Sequence, residues 1–493
     1  MSHIEQPMLQ SKANAQGSHG SDHGLKRNTL GVIDIAFYII AAASPLTGVI
    51  AIVPIMLGMG SGVGSPAAFI LTASILLLFA VGYVAMARHV SNAGALYAYV
   101  TMGMGQLTGL GTAALTVFSY TAIQVGLYGG FGYYAAELVV QWTGVSVPWW
   151  IYSFFASILC LLLGVSGVHS GAKVLGVLMT FECLLLFVLT GGMLFNSPES
   201  FTLTFEPFTP TAMLAPGLGV ALMFACATFI GFEGSAIYSE EARDPKRTIP
   251  RATYFSVIFM AAVYSGVTWL VICTLGKDHA VEIATKESGN LIFRVSDMVL
   301  GHWATNFFNV FIVTAIFAAL VTFHNNIARY LYSLGRQGLV WSPLGYTLRK
   351  AQTPYIASIV QTVSALLIVG FFVVMKLDPY AILFATMTGM GAIGIILAQT
   401  IAAIAIFVFF RRTKCDSRIW HAFLAPLIAV VGLSAFLYYA LTSVEMLLGI
   451  TGGWATFMAA LVFIVFAIGW LYGFYVKKAH PEKYVRIKSV LCE

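Results

Sequence analysis

Apolar runs of roughly 20 residues recur about twelve times between Leu30 and Tyr475, separated by short loops rich in Gly, Pro and charge. Each run is long enough to cross a hydrocarbon layer of about 30 Å as an α-helix. Only 9% of the residues are charged and the mean hydropathy is +0.86. A water-soluble domain typically carries about 25% charged residues. The sequence therefore predicts an all-α membrane protein with about twelve transmembrane helices.

The distribution of positive charge predicts how these helices are oriented. When the runs alternate in direction, all but four of the 26 Lys and Arg residues fall on one side of the membrane; the exceptions are Lys277, Lys286, Arg294 and Lys376. Because Lys and Arg concentrate on the cytoplasmic side, both termini are predicted to be cytoplasmic in an inner membrane. Residues 1–28 are polar and predict a disordered tail, and 477–493 form a second cytoplasmic tail. The net charge of +6 then reports topology and requires no nucleic-acid partner.

Two of the predicted helices carry helix-breaking residues near their middles. The first contains Ser44-Pro45-Leu46-Thr47-Gly48, and the sixth contains Gly231-Phe232-Glu233-Gly234. Pro lacks the backbone N–H and Gly tolerates unusual dihedral angles, while unwound backbone within a membrane must line protein or a cavity. Interrupted helices in matching places of two halves indicate the substrate site of a carrier. A proline kink with packing glycines is the alternative.

The two interruptions together favour a solute with both signs of charge. A half-helix N-terminus presents free N–H groups and the positive end of its dipole to an anion such as a carboxylate. A half-helix C-terminus presents carbonyl oxygens to a cation such as an ammonium group. The pair therefore predicts a site for a small zwitterion.

Two carboxyl groups lie within the predicted bilayer, Glu182 in the fifth helix and Glu233 just past the break in the sixth. Each costs about 2.5–3.5 kcal/mol or more at the bilayer centre, so a functional role is the default interpretation. Our hypothesis is that Glu182 or Glu233 takes up a proton that is transported together with the substrate. The alternative is a permanently neutral acid that is bonded to the broken backbone.

Two clusters of uncharged polar residues lie within other predicted helices. Tyr120, Gln124 and Tyr128 share one helix face at four-residue spacing, and the run from His324 to Asn326 forms a second cluster near the end of the eighth helix. Each cluster predicts either a polar path to the substrate or hydrogen bonds between helices.

The loop after the sixth helix carries a long signature, Glu240-Glu241-Ala242-Arg243-Asp244-Pro245-Lys246-Arg247-Thr248-Ile249-Pro250-Arg251-Ala252. With the preceding Gly231-Phe232-Glu233, it resembles the signature of permeases of the amino acid–polyamine–organocation (APC) superfamily. The resemblance covers about residues 28–480. It implies two inverted repeats of five helices, 29–195 and 214–410, with helices 1 and 6 unwound in mid-membrane. Two extra helices follow in 419–476.

The same resemblance implies roles for individual residues. Backbone N–H groups of Ser44, Thr47 and Gly48 would bind a substrate carboxylate, and carbonyl groups would bind its ammonium group, namely those of Ala227, Thr228 and Ile230. Phe232 would form a gate and Glu233 an acidic helper. The sequence departs from the family pattern at Leu46, where glycine is usual, and at Glu182, where some proton-coupled members carry lysine.

The resemblance implies a secondary transporter for an amino acid or a related amine. From the two carboxyl groups within the bilayer we expect proton-coupled uptake, and we expect no cofactor and no metal. An exchanger of the same fold is the alternative, and a non-transporting sensor or a membrane enzyme are alternatives from other classes. The sequence contains neither GxxxxGK[ST] nor HExxH, the patterns of a phosphate-binding loop and of a zinc protease. In the signature loop, Pro245 and Pro250 predict the end of one helix and the start of the next. Its charges predict either anchoring at lipid headgroups or gating through Glu240, Glu241 and arginine partners.

Overall fold

A computed structural model describes residues 25–90, 94–415 and 418–492. Residues 1–24 of the predicted tail 1–28 lie outside the described residues, as does Glu493 of the second tail. The described part is helical apart from a single β-bridge between Leu30 and Ala242. Twelve of its helices are long and apolar enough to cross a membrane. These are α1 Val32–Met59, α2 Gly62–Ala87, α3 Gln106–Thr143, α4 Trp149–Ser166, α5 Val168–Phe195, α6 Leu218–Tyr238, α7 Pro245–Leu275, α8 His302–Arg336, α9 Tyr355–Val374, α10 Pro379–Thr413, α11 Trp420–Thr442 and α12 Gly453–Ala479.

The predicted all-α class and the number of spanning helices are confirmed. One boundary differs, because α7 begins at Pro245 and continues through Pro250. Pro245 is the first residue of the helix, where a proline loses no hydrogen bond because the first N–H groups have no partner within the helix. Pro250 lies inside the helix and removes one backbone hydrogen bond without ending it. The signature loop is therefore shorter than its two prolines suggest.

Shorter helices connect the spans. Ala95–Met104 packs against α3 and α10, while Lys277–Lys286 and Leu291–Leu300 fill the connection between α7 and α8. The predicted second tail contains a helix, Pro481–Cys492, which contacts α3 and the Ala95–Met104 helix. At the other terminus, Leu25 is buried against Tyr332.

The two helices with predicted breaks lie inside the bundle. In the most apolar 18-residue window of each helix, 89% of the α6 residues and 72% of the α1 residues are buried, against 22% for α12. Because lipid-facing helices leave one side exposed, α12 lies at the periphery and α6 at the centre. Any opening in the backbone of α1 or α6 is therefore enclosed by protein, which is the condition for unwound backbone in a membrane.

Candidate functional site

The α-helical part of α1 ends at Ala43, and Ser44 adopts a left-handed conformation with φ 47° and ψ 73°. Helix then resumes at Pro45 and becomes π-helical over Gly48–Ile52. The Ser44 N–H donates to the carbonyl oxygen of Ile40 (2.9 Å), and the Gly48 N–H donates to that of Ser44 (3.0 Å). Two of the three N–H groups expected to bind a carboxylate are thus already bonded within the helix.

The first turn after Pro45 begins the second half of α1 and carries the positive end of its dipole. Ser44 Oγ and Thr47 Oγ1 lie at this end and are hydrogen-bonded to each other at 2.8 Å. Leu46 replaces the glycine that is usual in the family; its side chain is fully buried, and its N–H is directed towards the Glu182 carboxyl group of α5.

In α6, the α-helical part ends at Thr228, and a 3₁₀ helix begins at Phe232. Between them Gly231 has φ 113°, and an added Cβ would lie 2.4 Å from Ala42 Cβ, so only glycine fits where the breaks of α1 and α6 meet. The Ala227 carbonyl accepts from the Ile230 N–H at 3.3 Å. Among the described residues, no backbone N–H donates to the carbonyl of Ile230.

Tyr264 of α7 joins the two interrupted helices. Its hydroxyl lies 3.1 Å from the carbonyl oxygen of Ala43 and 3.3 Å from that of Thr228, so its one proton is shared between, or donated to either of, the last carbonyl groups of the two half-helices. The ring occupies the space beside Gly48, where an added Cβ would lie 2.6 Å from Cε1. Sequence reasoning missed this residue, because an aromatic side chain in an apolar helix carries no signal beyond packing.

A cavity of about 360 Å³ lies between the two breaks. Its walls come from α1, α3, α6, α8, α10 and the connection after α11. Six of the residues predicted to bind substrate line it, namely Ser44, Thr47, Gly48, Ala227, Thr228 and Ile230. The lining follows α1 from Ala42 to Ile55, about 20 Å at the helical rise per residue. The cavity therefore extends from the breaks towards the membrane side opposite the N-terminus.

The other three predicted residues, Phe232, Glu182 and Glu233, are absent from this lining. Phe232 is fully buried on the N-terminal side of the break, with its ring edge-on to Phe79 at 5.9 Å between centroids. It is therefore part of the packing that closes the cavity floor and does not contact the cavity. The α6 backbone turns at Gly231, which separates Phe232 from the lining residue Ile230.

The Glu233 carboxylate is the centre of a buried hydrogen-bond network. It accepts from Tyr120 Oη of α3 (2.7 Å), Gln399 Nε2 of α10 (3.0 Å) and the N–H of Gly231 (3.0 Å). A carboxylate at the start of the second half of α6 also lies at the positive end of its dipole. The α6 half-helix N-terminus is thus capped by its own side chain, and Glu233 holds α3, α6 and α10 together.

Glu182 of α5 lies in a different environment. Its carboxyl group is fully buried, and neither oxygen has a hydrogen-bond partner among the described residues. The Leu46 backbone N–H approaches it, outside the geometry of a hydrogen bond, and Tyr264 lies near enough to interact with it electrostatically. Glu182 therefore lies directly behind the α1 break, on the side away from the cavity.

Buried ion pairs close the protein on the N-terminal side of the breaks. Arg329 of α8 makes a bidentate pair with Glu241 (2.7 and 3.0 Å), with side chains 1% and 0% exposed. Arg336 makes a second bidentate pair with Glu240 (3.0 and 2.7 Å), which is partly exposed. The alternative in which Glu240 and Glu241 pair with arginines is the one that the geometry supports.

An aromatic layer and backbone contacts lie beside these ion pairs. The Arg329 guanidinium group lies over the Tyr238 ring at 4.9 Å, and that ring stacks on Tyr38 of α1. The Thr29 N–H donates to the carbonyl of Glu241 (2.9 Å), and the Arg243 N–H donates to that of Leu30 (3.0 Å).

The uncharged polar clusters form hydrogen bonds between helices, one of the two alternatives predicted. Gln124 of α3 accepts from Gln361 Nε2 of α9 at 2.7 Å and contacts His324 Nδ1 of α8 at 3.4 Å. Asn326 of α8 accepts from Tyr238 of α6 at 2.8 Å. None of these side chains lines the cavity. In the described ranges, no group of His, Cys, Asp and Glu side chains could hold a metal ion.

Comparison with known proteins matches residues 30–473 to the family described as amino acid permease. The branched-chain amino acid permease BcaP of Bacillus subtilis (strain 168) is 23% identical, over 94% of this chain and 95% of the relative. The low-affinity putrescine importer PlaP of Escherichia coli (strain K12) is 22% identical, over 71% of this chain and 76% of its own. Cationic amino acid transporter 4 of Homo sapiens is 23% identical, over 71% and 55% of the two chains.

Proposed function

Because the chain belongs to the amino acid permease family, its activity is the transport of amino acids or related amines, and we propose that it is a proton-coupled secondary transporter. Its location is the cytoplasmic membrane, with both termini in the cytoplasm. The solute is taken up from outside and released inside.

The observation that carries this proposal is the cavity between two interrupted helices. At one wall the hydroxyl groups of Ser44 and Thr47 lie 2.8 Å apart at the N-terminal end of the second half of α1. Across the cavity α6 offers the carbonyl of Ile230, which no backbone N–H occupies among the described residues. A carboxylate fits the first set and an ammonium group the second. The α-amino acid group carries both.

The arrangement of open and closed regions supports alternating access. The cavity extends from the breaks away from the N-terminus, while Phe232 and the two arginine–glutamate pairs fill the N-terminal side. With cytoplasmic termini, this is an outward-facing state with a closed inner gate. Repeats of five helices, 29–195 and 214–410, then move against each other to expose the site to the cytoplasm.

Glu182 is the residue to which we assign proton uptake, in preference to Glu233. An ionised carboxylate that is fully buried without a hydrogen-bond partner is strongly disfavoured, so Glu182 in this state holds a proton. Glu233 has three donors that stabilise it within the bundle. Glu182 also adjoins Leu46 and Tyr264. Protonation of Glu182 would therefore be coupled to the breaks that bind the solute.

The experiment measures uptake of a radiolabelled amino acid panel into proteoliposomes, with an inward proton gradient, an inward sodium gradient or no gradient. We expect the proton gradient alone to drive accumulation. Glu182→Gln should remove that response and retain exchange with preloaded substrate. Glu137→Gln, an exposed carboxyl near the end of α3, is the matched control and should retain the response. Gradient-driven uptake that is unchanged in Glu182→Gln contradicts the coupling role, and exchange without accumulation in the native protein identifies an exchanger.

A further inference from the structure

Among the described residues that line the cavity, none is Asp, Glu, Lys, Arg or His. Away from the two breaks, its surface is formed largely by aliphatic and aromatic groups, including Ile55, Ile123, Leu127, Phe224 and Phe323. At about 360 Å³, its volume is near the lower end of the range for small-molecule sites, roughly 300–1,000 Å³.

The two side chains with hydroxyl groups in this part of the wall are held by contacts within the protein. Thr388 Oγ1 donates to the carbonyl of Phe384 at 2.5 Å. Tyr380 stacks on Phe384 and Tyr133 and lies edge-on to the Tyr134 ring. The groups that could hold the polar ends of a solute are therefore concentrated at the breaks.

The two carboxyl groups of the bilayer interior cannot serve as counter-ions for a second positive charge in this state. Glu233 lies outside the cavity and accepts from Tyr120, Gln399 and Gly231. Glu182 lies behind Leu46 and Tyr264, and it also does not line the cavity. A solute with an additional ammonium or guanidinium group would leave water without gaining an ionic partner, which is strongly unfavourable.

We infer that the transported solute is a neutral amino acid with an apolar side chain. Diamines, basic amino acids and acidic amino acids are rejected by the same wall. The α-carboxylate and α-ammonium groups occupy the breaks, and the side chain lies against α3, α8 and α10. This inference rests on the proposed transport function and narrows its substrate class.

The test is competition for radiolabelled leucine uptake in proteoliposomes of the full-length protein. Unlabelled leucine, isoleucine and valine should inhibit at concentrations at least tenfold lower than lysine, arginine, glutamate or putrescine. Direct uptake of radiolabelled putrescine and lysine is measured in parallel. Transport of putrescine or lysine as efficient as that of leucine would overturn the inference and leave the transport function intact. No uptake of any compound would refute both.

A pair of variants tests whether the absence of charge in the cavity wall causes the selectivity for neutral amino acids. Thr388→Asp places a carboxylate in the apolar wall, and Thr388→Asn is its uncharged control of the same shape. We expect Thr388→Asp to lower leucine uptake and to improve competition by lysine or putrescine at least tenfold relative to Thr388→Asn. Equal selectivity in two variants that both transport leucine would show that wall charge does not select the substrate.

Discussion

The ion pair between Arg329 and Glu241 makes the inner gate accessible to a quantitative test. Both side chains are almost fully buried, and Arg329 also donates to the backbone and side-chain oxygens of Asn325 at 3.1 Å. Glu241→Gln leaves the guanidinium charge buried without a carboxylate. Breaking a buried pair in this way costs about 3–5 kcal/mol. The cost applies to the closed gate, because water can reach Arg329 once the gate opens.

The expected change in the population ratio of open to closed gate follows from this free-energy cost. At about 1.4 kcal/mol for each tenfold change, a cost of 3–5 kcal/mol raises the population ratio of open to closed gate by roughly a hundred-fold to a few thousand-fold. Glu240→Gln is the matched control, because its partner Arg336 is 32% exposed. Partly exposed pairs contribute about 1 kcal/mol, so that ratio should rise by about tenfold or less.

The assay measures how fast a membrane-impermeant maleimide labels Ser239→Cys in inside-out vesicles, with the native cysteines replaced. Ser239 is 1% exposed and its hydroxyl has no hydrogen-bond partner among the described residues, so the substitution disturbs little. Labelling should be much faster with Glu241→Gln than with Glu240→Gln. Equal rates in the two variants, or no acceleration with Glu241→Gln, would refute the assignment of this pair as the main lock.

Two further substitutions test the packing at the breaks. Gly48→Ala would bring a methyl group to 2.6 Å from the Tyr264 ring, so we expect a loss of about 1–3 kcal/mol and weaker substrate binding by thermal shift. Gly266→Ala, with open space at its Cβ position, is the control and should match the native protein. Glu233→Gln should lower the unfolding free energy by about 1–3 kcal/mol, because Gln399 and the other two donors lose a charged acceptor. A denaturation midpoint that is unchanged from the native protein would contradict the role of Glu233 as a structural centre.

The spanning helices and the positions of the breaks could be predicted because both are local properties. Length and hydropathy define a spanning segment, and Pro45 and Gly231 disfavour continuous helix wherever they occur in one. Six of the residues that were named at the breaks line the cavity, whereas Phe232 and Glu233 do not.

The hydrogen-bond partners of individual polar groups could not be predicted from the sequence, because they depend on backbone dihedral angles and on helices that are distant in the chain. Ser44 adopts a positive φ without being glycine, and the N–H groups of Ser44 and Gly48 are hydrogen-bonded within α1. Tyr264 reaches the breaks from α7, and the partners of Glu233 come from α3 and α10. The spacing of Tyr120 in α3 indicated a polar face, but nothing in the sequence indicated which carboxylate it would contact.

The short backbone ribbon between Leu30 and Ala242 has a mechanical consequence for the two interrupted helices. It ties the beginning of α1 to the end of α6 through hydrogen bonds that involve Thr29 and Arg243. Because these hydrogen bonds hold the two helix ends together, α1 and α6 cannot move independently at that end, and we expect them to tilt together as one rigid unit. When the cavity opens towards the N-terminal side, α1 and α6 would then move away from α8 together and remain connected to each other.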